Sequence, residues 1–189
     1  MRATLLTIFS VIILVPCSIV LFGAFKSDTK IISEPLALPD SWSFDNFKHL
    51  FGSGRLLLPA RNSLLVSSAS VFITILLATM AAFAIARSIT VSGKILFLLF
   101  SIGLAIPGQV NIIPIYLLFL KLHLTNSLLG LILVNIALTL PISIFIITAF
   151  IKDLPKEMFE VASIDGASPF RTYRSIALPL ARPAIGATS

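Results

Sequence analysis

The stretch SLLVSSASVFITILLATMAAFAIA, from Ser63 to Ala86, decides the fold. It carries no Asp, Glu, Lys, Arg or His, and it is long enough to cross a hydrocarbon core of about 30 Å as a helix. A segment of that kind satisfies its backbone in lipid only as an α-helix, because no water is present to take the free N–H and C=O groups. Three further charge-free runs read the same way: 3–25, 95–120 and 127–150. Four membrane-spanning helices are therefore expected, and the fold class is an all-α, polytopic membrane protein.

Composition agrees with this reading. Hydrophobic residues make up 57% of the 189-residue chain, charged residues 12%, and the mean hydropathy is +1.05. Such values exclude an ordinary soluble domain. The formal net charge of +6 would suit nucleic acid if it were clustered, but the basic residues mostly flank the apolar runs. The first run exceeds the 7 to 15 apolar residues of a secretory signal, so it is read as a retained helix. Cys17 lies within it as a small packing residue, and as the single cysteine it permits no internal disulfide.

Four spans put both ends of the chain on one side. The segment after Phe150 carries Lys152, Lys156, Arg171, Arg174 and Arg182, so the positive-inside rule makes that side cytoplasmic. The outer side then holds one loop of moderate length, 26–62, with Pro35, Pro39, Trp42, Phe44 and Phe47. It is read as either a cap over the helix ends or a docking surface for an external partner.

Within the spans, the lack of ionisable groups argues against an ion- or proton-coupled carrier, so energy should enter from elsewhere. Ser63, Ser67, Ser70, Thr74 and Ala78 form one small-residue face, suited to close helix packing or to lining a polar path. The third span contains Ile106-Pro107-Gly108-Gln109-Val110-Asn111 and Pro114, which should break or kink it. Gln109, Asn111, Asn135 and Thr139 are the candidate pathway residues, with buried interhelical hydrogen bonding as the alternative. Gly93-Lys94 lacks the spacing of a phosphate loop, and no HExxH, CxxC or Ser–His–carboxylate pattern occurs. No catalytic residue, metal or cofactor is expected.

One segment, 154–179, is neither span nor simple loop. Pro155 suits a helix start, Glu157 and Glu160 favour its N-terminal dipole, and Gly166 offers a left-handed stop. Ser168 should cap a second helix that has Pro169 at its first position and ends before Pro179. Met158, Val161 and Ala162 should share a face of the first helix, and Phe170, Tyr173 and Ala177 a face of the second. So short a hairpin must lean on the spans or on a partner. A DNA-reading helix-turn-helix and a membrane-surface amphipathic pair are the competing readings from physics alone.

Glu160-Val161-Ala162, Asp165-Gly166-Ala167 and Ile176-Ala177-Leu178-Pro179 stand at the spacing of the EAA motif. In these residues the segment resembles the permease subunits of binding-protein-dependent ABC importers. Trp42 to Phe51, Arg61-Asn62-Ser63-Leu64, Ala82 to Arg87, Ile106-Pro107 and Leu154-Pro155 are similar to the sugar-importer branch that includes maltose-type permeases. Val161 departs from the alanine that the family prefers, a change that a site packed on a span should tolerate.

The resemblance implies a non-catalytic subunit with an ATPase-coupling hairpin at 154–179. It also implies four partners besides membrane lipid: a cytoplasmic ABC ATPase, a second permease subunit, an extracytoplasmic solute-binding protein and a sugar as solute. Nucleic acid is not among them. Family members usually hold about six spans, so a partial subunit ending at Ser189 is expected, and an accessory membrane scaffold is the alternative function. The topology is checked by reporter fusions. One at Ser163 should read cytoplasmic and one at Phe44 external, and the reverse result at either position overturns it.

Overall fold

The computed structural model describes residues 2–188, and all the regular structure among them is helical. Two compact units divide the chain, the first ending at Arg61 and the second beginning at Asn62.

In the first unit, α1 (Arg2–Gly23) runs through Pro16 and is apolar along its length, as a helix facing hydrocarbon must be. Cys17 is exposed on α1 rather than packed, which departs from the expected role. The segment that follows is more structured than a loop, with α2 (Asp28–Ser33) and α3 (Asp45–Gly52). Phe25 gathers Trp42, Phe44 and Phe47 around it at centroid distances of 5.1, 5.4 and 5.6 Å. Lys26 is buried, and its ammonium donates to the carbonyl of Glu34 at 2.7 Å, just past the end of α2. Asn46 donates from α3 to the carbonyls of Ala24 and Lys26. Ser43 donates to Asp45 at 2.6 Å, and together with Lys48 it holds that carboxyl below its ordinary range.

Helix α4 (Leu57–Arg87) starts ahead of the expected span, with Pro59 in its first turn where no hydrogen bond is lost. The expected third span is two helices. α5 (Val91–Ala105) stops where Ile106, extended ahead of Pro107, cannot continue the helix. After a 3₁₀ turn over Gly108–Asn111, α6 (Ile112–Lys121) departs at 90° to α5. The break that Pro107 implies is therefore present, but it is a right-angled corner and not a kink in one straight helix. α1, α4 and α7 (Leu128–Lys152) are long and apolar enough to span singly, and α5 with α6 makes a fourth span only as a broken pair.

In the second unit, α7 packs on α5 and on α11 (Arg182–Thr188). Its own Pro141 does not interrupt it. Ala78 and Ala82 of α4 and Ile144 and Ile147 of α7, all 0% exposed, form the centre of the main apolar cluster. Val66 with Ile132 and Ile136 makes a smaller one further along the same two helices. Of the small-residue face, Ser70, Thr74 and Ala78 are buried, whereas Ser63 and Ser67 are exposed.

The corner between α6 and α7 turns through His123 and Asn126, both at positive φ (56° and 55°). Ser127 caps α7 by accepting from the Gly130 N–H, and its hydroxyl donates to the Leu124 carbonyl at 2.7 Å. A Cβ at Gly130 would collide with that carbonyl and press on the Phe119 ring. Gly130→Ala should cost about 1–3 kcal/mol by forcing the corner apart. Denaturation of the purified protein in detergent measures this, with Gly186→Ala, which meets open space, as the control.

Candidate functional site

The candidate site is the hairpin after α7. α8 (Lys156–Ile164) begins just after Pro155, which stands at the cap position rather than inside the helix. It ends as the left-handed glycine predicts. Gly166 has φ +72°, its N–H donates to the Ser163 carbonyl at 3.1 Å, and the Ala167 N–H donates to the Ala162 carbonyl at 2.9 Å. This pair of bonds is the Schellman arrangement, which satisfies two carbonyls that a helix end would leave orphaned. Ser168 then caps α9 (Pro169–Thr172), accepting from the Arg171 N–H at 3.3 Å, with Pro169 at the first position.

The second helix does not end before Pro179. It passes into a π-helical stretch, Tyr173–Ala177, in which the Leu178 N–H reaches back to the Tyr173 carbonyl, and it continues as α10 (Leu178–Leu180). Pro179 has no N–H to give a carbonyl behind it, and the wider π turn absorbs that gap without stopping the helix.

The two faces of the hairpin differ from expectation as well. In α8 the buried pair is Phe159 and Ala162, while Met158 and Val161 are exposed, Val161 by 56%. Val161 therefore does not pack on a span, and it is the exposure of that position that leaves room for valine. In the second helix Tyr173 and Ala177 are buried and Phe170 is 63% exposed. Phe159 and Ala177 belong to the same apolar cluster as Ala78, Ala82, Ile144 and Ile147. Arg87, the last residue of α4, lies over the Phe159 ring at 4.5 Å. Tyr173 packs on Phe83 at 5.6 Å and shares a 2.9 Å hydrogen bond with Thr79.

Between the two hairpin helices an outward groove of about 230 Å³ is lined by Met158, Val161, Ala162, Asp165, Ala167, Arg171 and Ile176. Asp165, Gly166 and Ala167 form the turn at its end, Glu160 is exposed beside it, Leu178 is half-buried and Pro179 exposed. Glu160 and Asp165 make no ion pair among the described residues. The hairpin thus has a back held in the protein core and a front on which apolar groups and carboxylates without an ion pair among the described residues stand exposed.

The candidate pathway residues divide into two groups. Asn135 lines an open groove of about 280 Å³ with Asn62, Ser63 and Ser67. One turn further along α7, the Thr139 hydroxyl donates to the Asn135 carbonyl at 2.7 Å and lies 3.3 Å from the Thr74 hydroxyl of α4. The hydroxyl of Ser70 is buried here with no hydrogen-bond partner among the described residues. Gln109 and Asn111 sit instead in the 3₁₀ turn of the broken pair and do not line this groove.

Residues 74–188 match the family described as binding-protein-dependent transport system inner membrane component. The chain belongs to this family. The match begins midway along α4 and takes in the broken pair, α7 and the whole hairpin. Relatives extend the likeness to almost the entire chain. The diacetylchitobiose uptake system permease of Streptomyces coelicolor is 33% identical over 98% of this chain and 61% of its own length. The multiple sugar-binding transport system permease of Streptococcus mutans is 33% identical over 96% of the chain and 66% of its own length. The trehalose/maltose transport system permease of Thermococcus litoralis is 30% identical over the same shares. The chain spans about 61–66% of the length of these relatives. Membership makes it a multi-pass inner-membrane permease component, in keeping with its apolar helices. Permease components of this family are transporter subunits and not enzymes themselves.

The contacts that seat the hairpin on the spans escaped the reading of the sequence. Arg87 stood out there only within the stretch Ala82 to Arg87, and Thr79 did not stand out at all. A signal was available in Phe159, the one aromatic residue of α8, set about two turns ahead of Gly166. Phe159→Ala should lower stability by about 3–5 kcal/mol, as removal of a buried ring does, whereas Phe170→Ala should stay within about 0.5 kcal/mol. Unfolding of the two variants in detergent distinguishes the back of the hairpin from its front.

Proposed function

We propose that the chain is the membrane part of a sugar importer whose hairpin docks a separate cytoplasmic ABC ATPase. The observation that carries this is the two-sided hairpin, with Phe159, Ala162, Tyr173 and Ala177 buried while Val161, Ile164 and Phe170 stand exposed beside an open groove. A surface hairpin with no partner would hide such side chains, and exposed apolar groups rimmed by charge suit a docking surface. In this reading Glu160, Asp165 and Arg171 lie where the ATPase contacts the permease. The importer also takes a second permease subunit and an extracytoplasmic binding protein that delivers the solute. The printed names of the relatives, which concern diacetylchitobiose, multiple sugars and trehalose/maltose, support a sugar as that solute.

The hairpin and the turn from Arg87 to Lys94 face the cytoplasm, and segment 26–62 faces outward, because the basic residues concentrate on the hairpin side. Asn135 and Thr139 line the solute path, where amide and hydroxyl groups exchange hydrogen bonds with sugar hydroxyls. Gln109 and Asn111 serve it from the broken pair, since non-helical backbone at membrane depth is tolerated where it lines a cavity.

Gly166→Val tests the docking role. A Cβ at Gly166 meets open space, so its cost is the left-handed backbone alone, about 1–2 kcal/mol. Membrane abundance should hold, while co-purification with the ATPase and uptake of labelled malto- and chito-oligosaccharides should fall together. Unchanged ATPase binding and unchanged uptake would sink the assignment.

A further inference from the structure

We infer that Tyr173 and Thr79 form a positioning pin that transmits motion of the docked hairpin to α4, and through α4 to the polar groove at Asn135. The inference rests on the proposed reading of the hairpin as the ATPase dock and goes beyond it by naming the link.

The two hydroxyls, 94 positions apart in the chain, meet at 2.9 Å in a site where Thr79 is 2% and Tyr173 8% exposed. The donor is settled by counting protons. Thr79 has one hydroxyl hydrogen, and its Oγ1 lies 2.7 Å from the Ile75 carbonyl one turn back on α4, which is an acceptor only. Thr79 therefore donates within its own helix, and Tyr173 donates to Thr79. The direction matters for substitution. Removing the Tyr173 hydroxyl leaves Thr79 satisfied, whereas removing the Thr79 hydroxyl strands a buried phenol.

Beside this bond the Phe83 ring of α4 packs on Tyr173, an apolar contact. The hydrophobic effect is non-directional, but a buried hydrogen bond has a set length and direction. The pin thus sets the register of the hairpin on α4. Tyr173 also opens the π-helical stretch that Pro179 imposes, and π turns of this kind are frequent at functional sites. Five residues along α4, Thr74 meets Thr139, whose hydroxyl rests on Asn135 at the groove. Two specific polar contacts on one helix therefore connect the hairpin with the groove.

The test is independent of the solute. In the importer assembled with its ATPase, Cys17→Ser removes the native thiol and Ser67→Cys places one in the groove. A membrane-impermeant maleimide added outside then reports accessibility with and without ATP. In this background ATP should change the labelling rate. Tyr173→Phe should shrink that response about three- to tenfold, the span of one lost hydrogen bond, while ATPase co-purification stays as in the parent and the thermal midpoint falls by only about 2–4 °C. Thr79→Ser made in the parent keeps the hydroxyl and should retain the full response. A Tyr173→Phe protein that responds to ATP as the parent does would overturn the pin, as would one that loses its ATPase, since the residue would then serve only to hold the hairpin together. A parent that does not bind the ATPase at all would refute the docking reading itself and remove the basis for the pin with it.

Discussion

One apolar cluster ties the spans to the hairpin, and the rest of the second unit is arranged around it. Its centre is Ala78, Ala82, Ile144 and Ile147, and it extends to Phe159 and Ala177 in the hairpin and to Ala181 and Ala184 beyond. In lipid there is no hydrophobic gain from joining two apolar helices, because the tails are as apolar as the side chains. Packing at the membrane-buried centre must come from fit, and small residues on α4 opposite branched residues on α7 supply it. At the hairpin end of the same cluster water is present again, and there burying Phe159 gives the full hydrophobic gain. The cluster therefore joins two regimes, with shape complementarity inside the bilayer and water exclusion at its edge.

Features governed by one-dimensional rules were legible from the residues alone. Charge-free runs located α1, α4 and α7, and Pro107 located the break, because backbone satisfaction and the missing proline N–H depend only on neighbours in sequence. The same holds at the hairpin, where Gly166, Ser168 and Pro169 took the left-handed, capping and first-helical positions expected of them. What stayed hidden depends on partners distant in sequence. The right angle between α5 and α6 is not encoded in Pro107, which licenses a break but not its size. Pro179 was expected to stop a helix, yet a π turn accommodates it, since the carbonyls it would orphan find donors one residue further on. Phe159, to which the sequence had assigned no role, is buried while Val161 stands exposed, for a similar reason. Helical spacing shows which residues share a face, but which face turns inward is decided by what the spans present to it.

The two groups of candidate pathway residues show the same limit. Asn135 and Thr139 lie on a continuous helix, and the structure joins them to α4 through Thr74. Gln109 and Asn111 looked equivalent as amides in an apolar run, but they occupy the irregular turn where α5 gives way to α6. Polar residues on a helix need only one another or water, whereas those in a broken segment compete with freed backbone groups for the same partners. Equal residue type in an equal environment of sequence thus gave different surroundings in space.

The basic residues at the hairpin end of the spans carry more than a topological signal. Arg87 closes α4 and lies over Phe159 of α8, and Lys152 closes α7 and lies 4.7 Å from the ring of Phe97 on α5. Each cation stands at a helix C-terminus, where the helix dipole favours it, and covers an aromatic ring that would otherwise meet water. Long basic side chains at a membrane edge can reach the headgroups freely, so a head kept over a ring gives up some hydration and some rotamer freedom for the contact. In return the Phe159 ring stays buried in the core beneath a charge, and α8 is held at a set height relative to the end of α4. For α8 that height is the level at which the Phe159 face meets the spans while the Val161 face stays exposed. A substitution at Arg87 would therefore shift the depth of the hairpin, and with it that of the proposed docking surface.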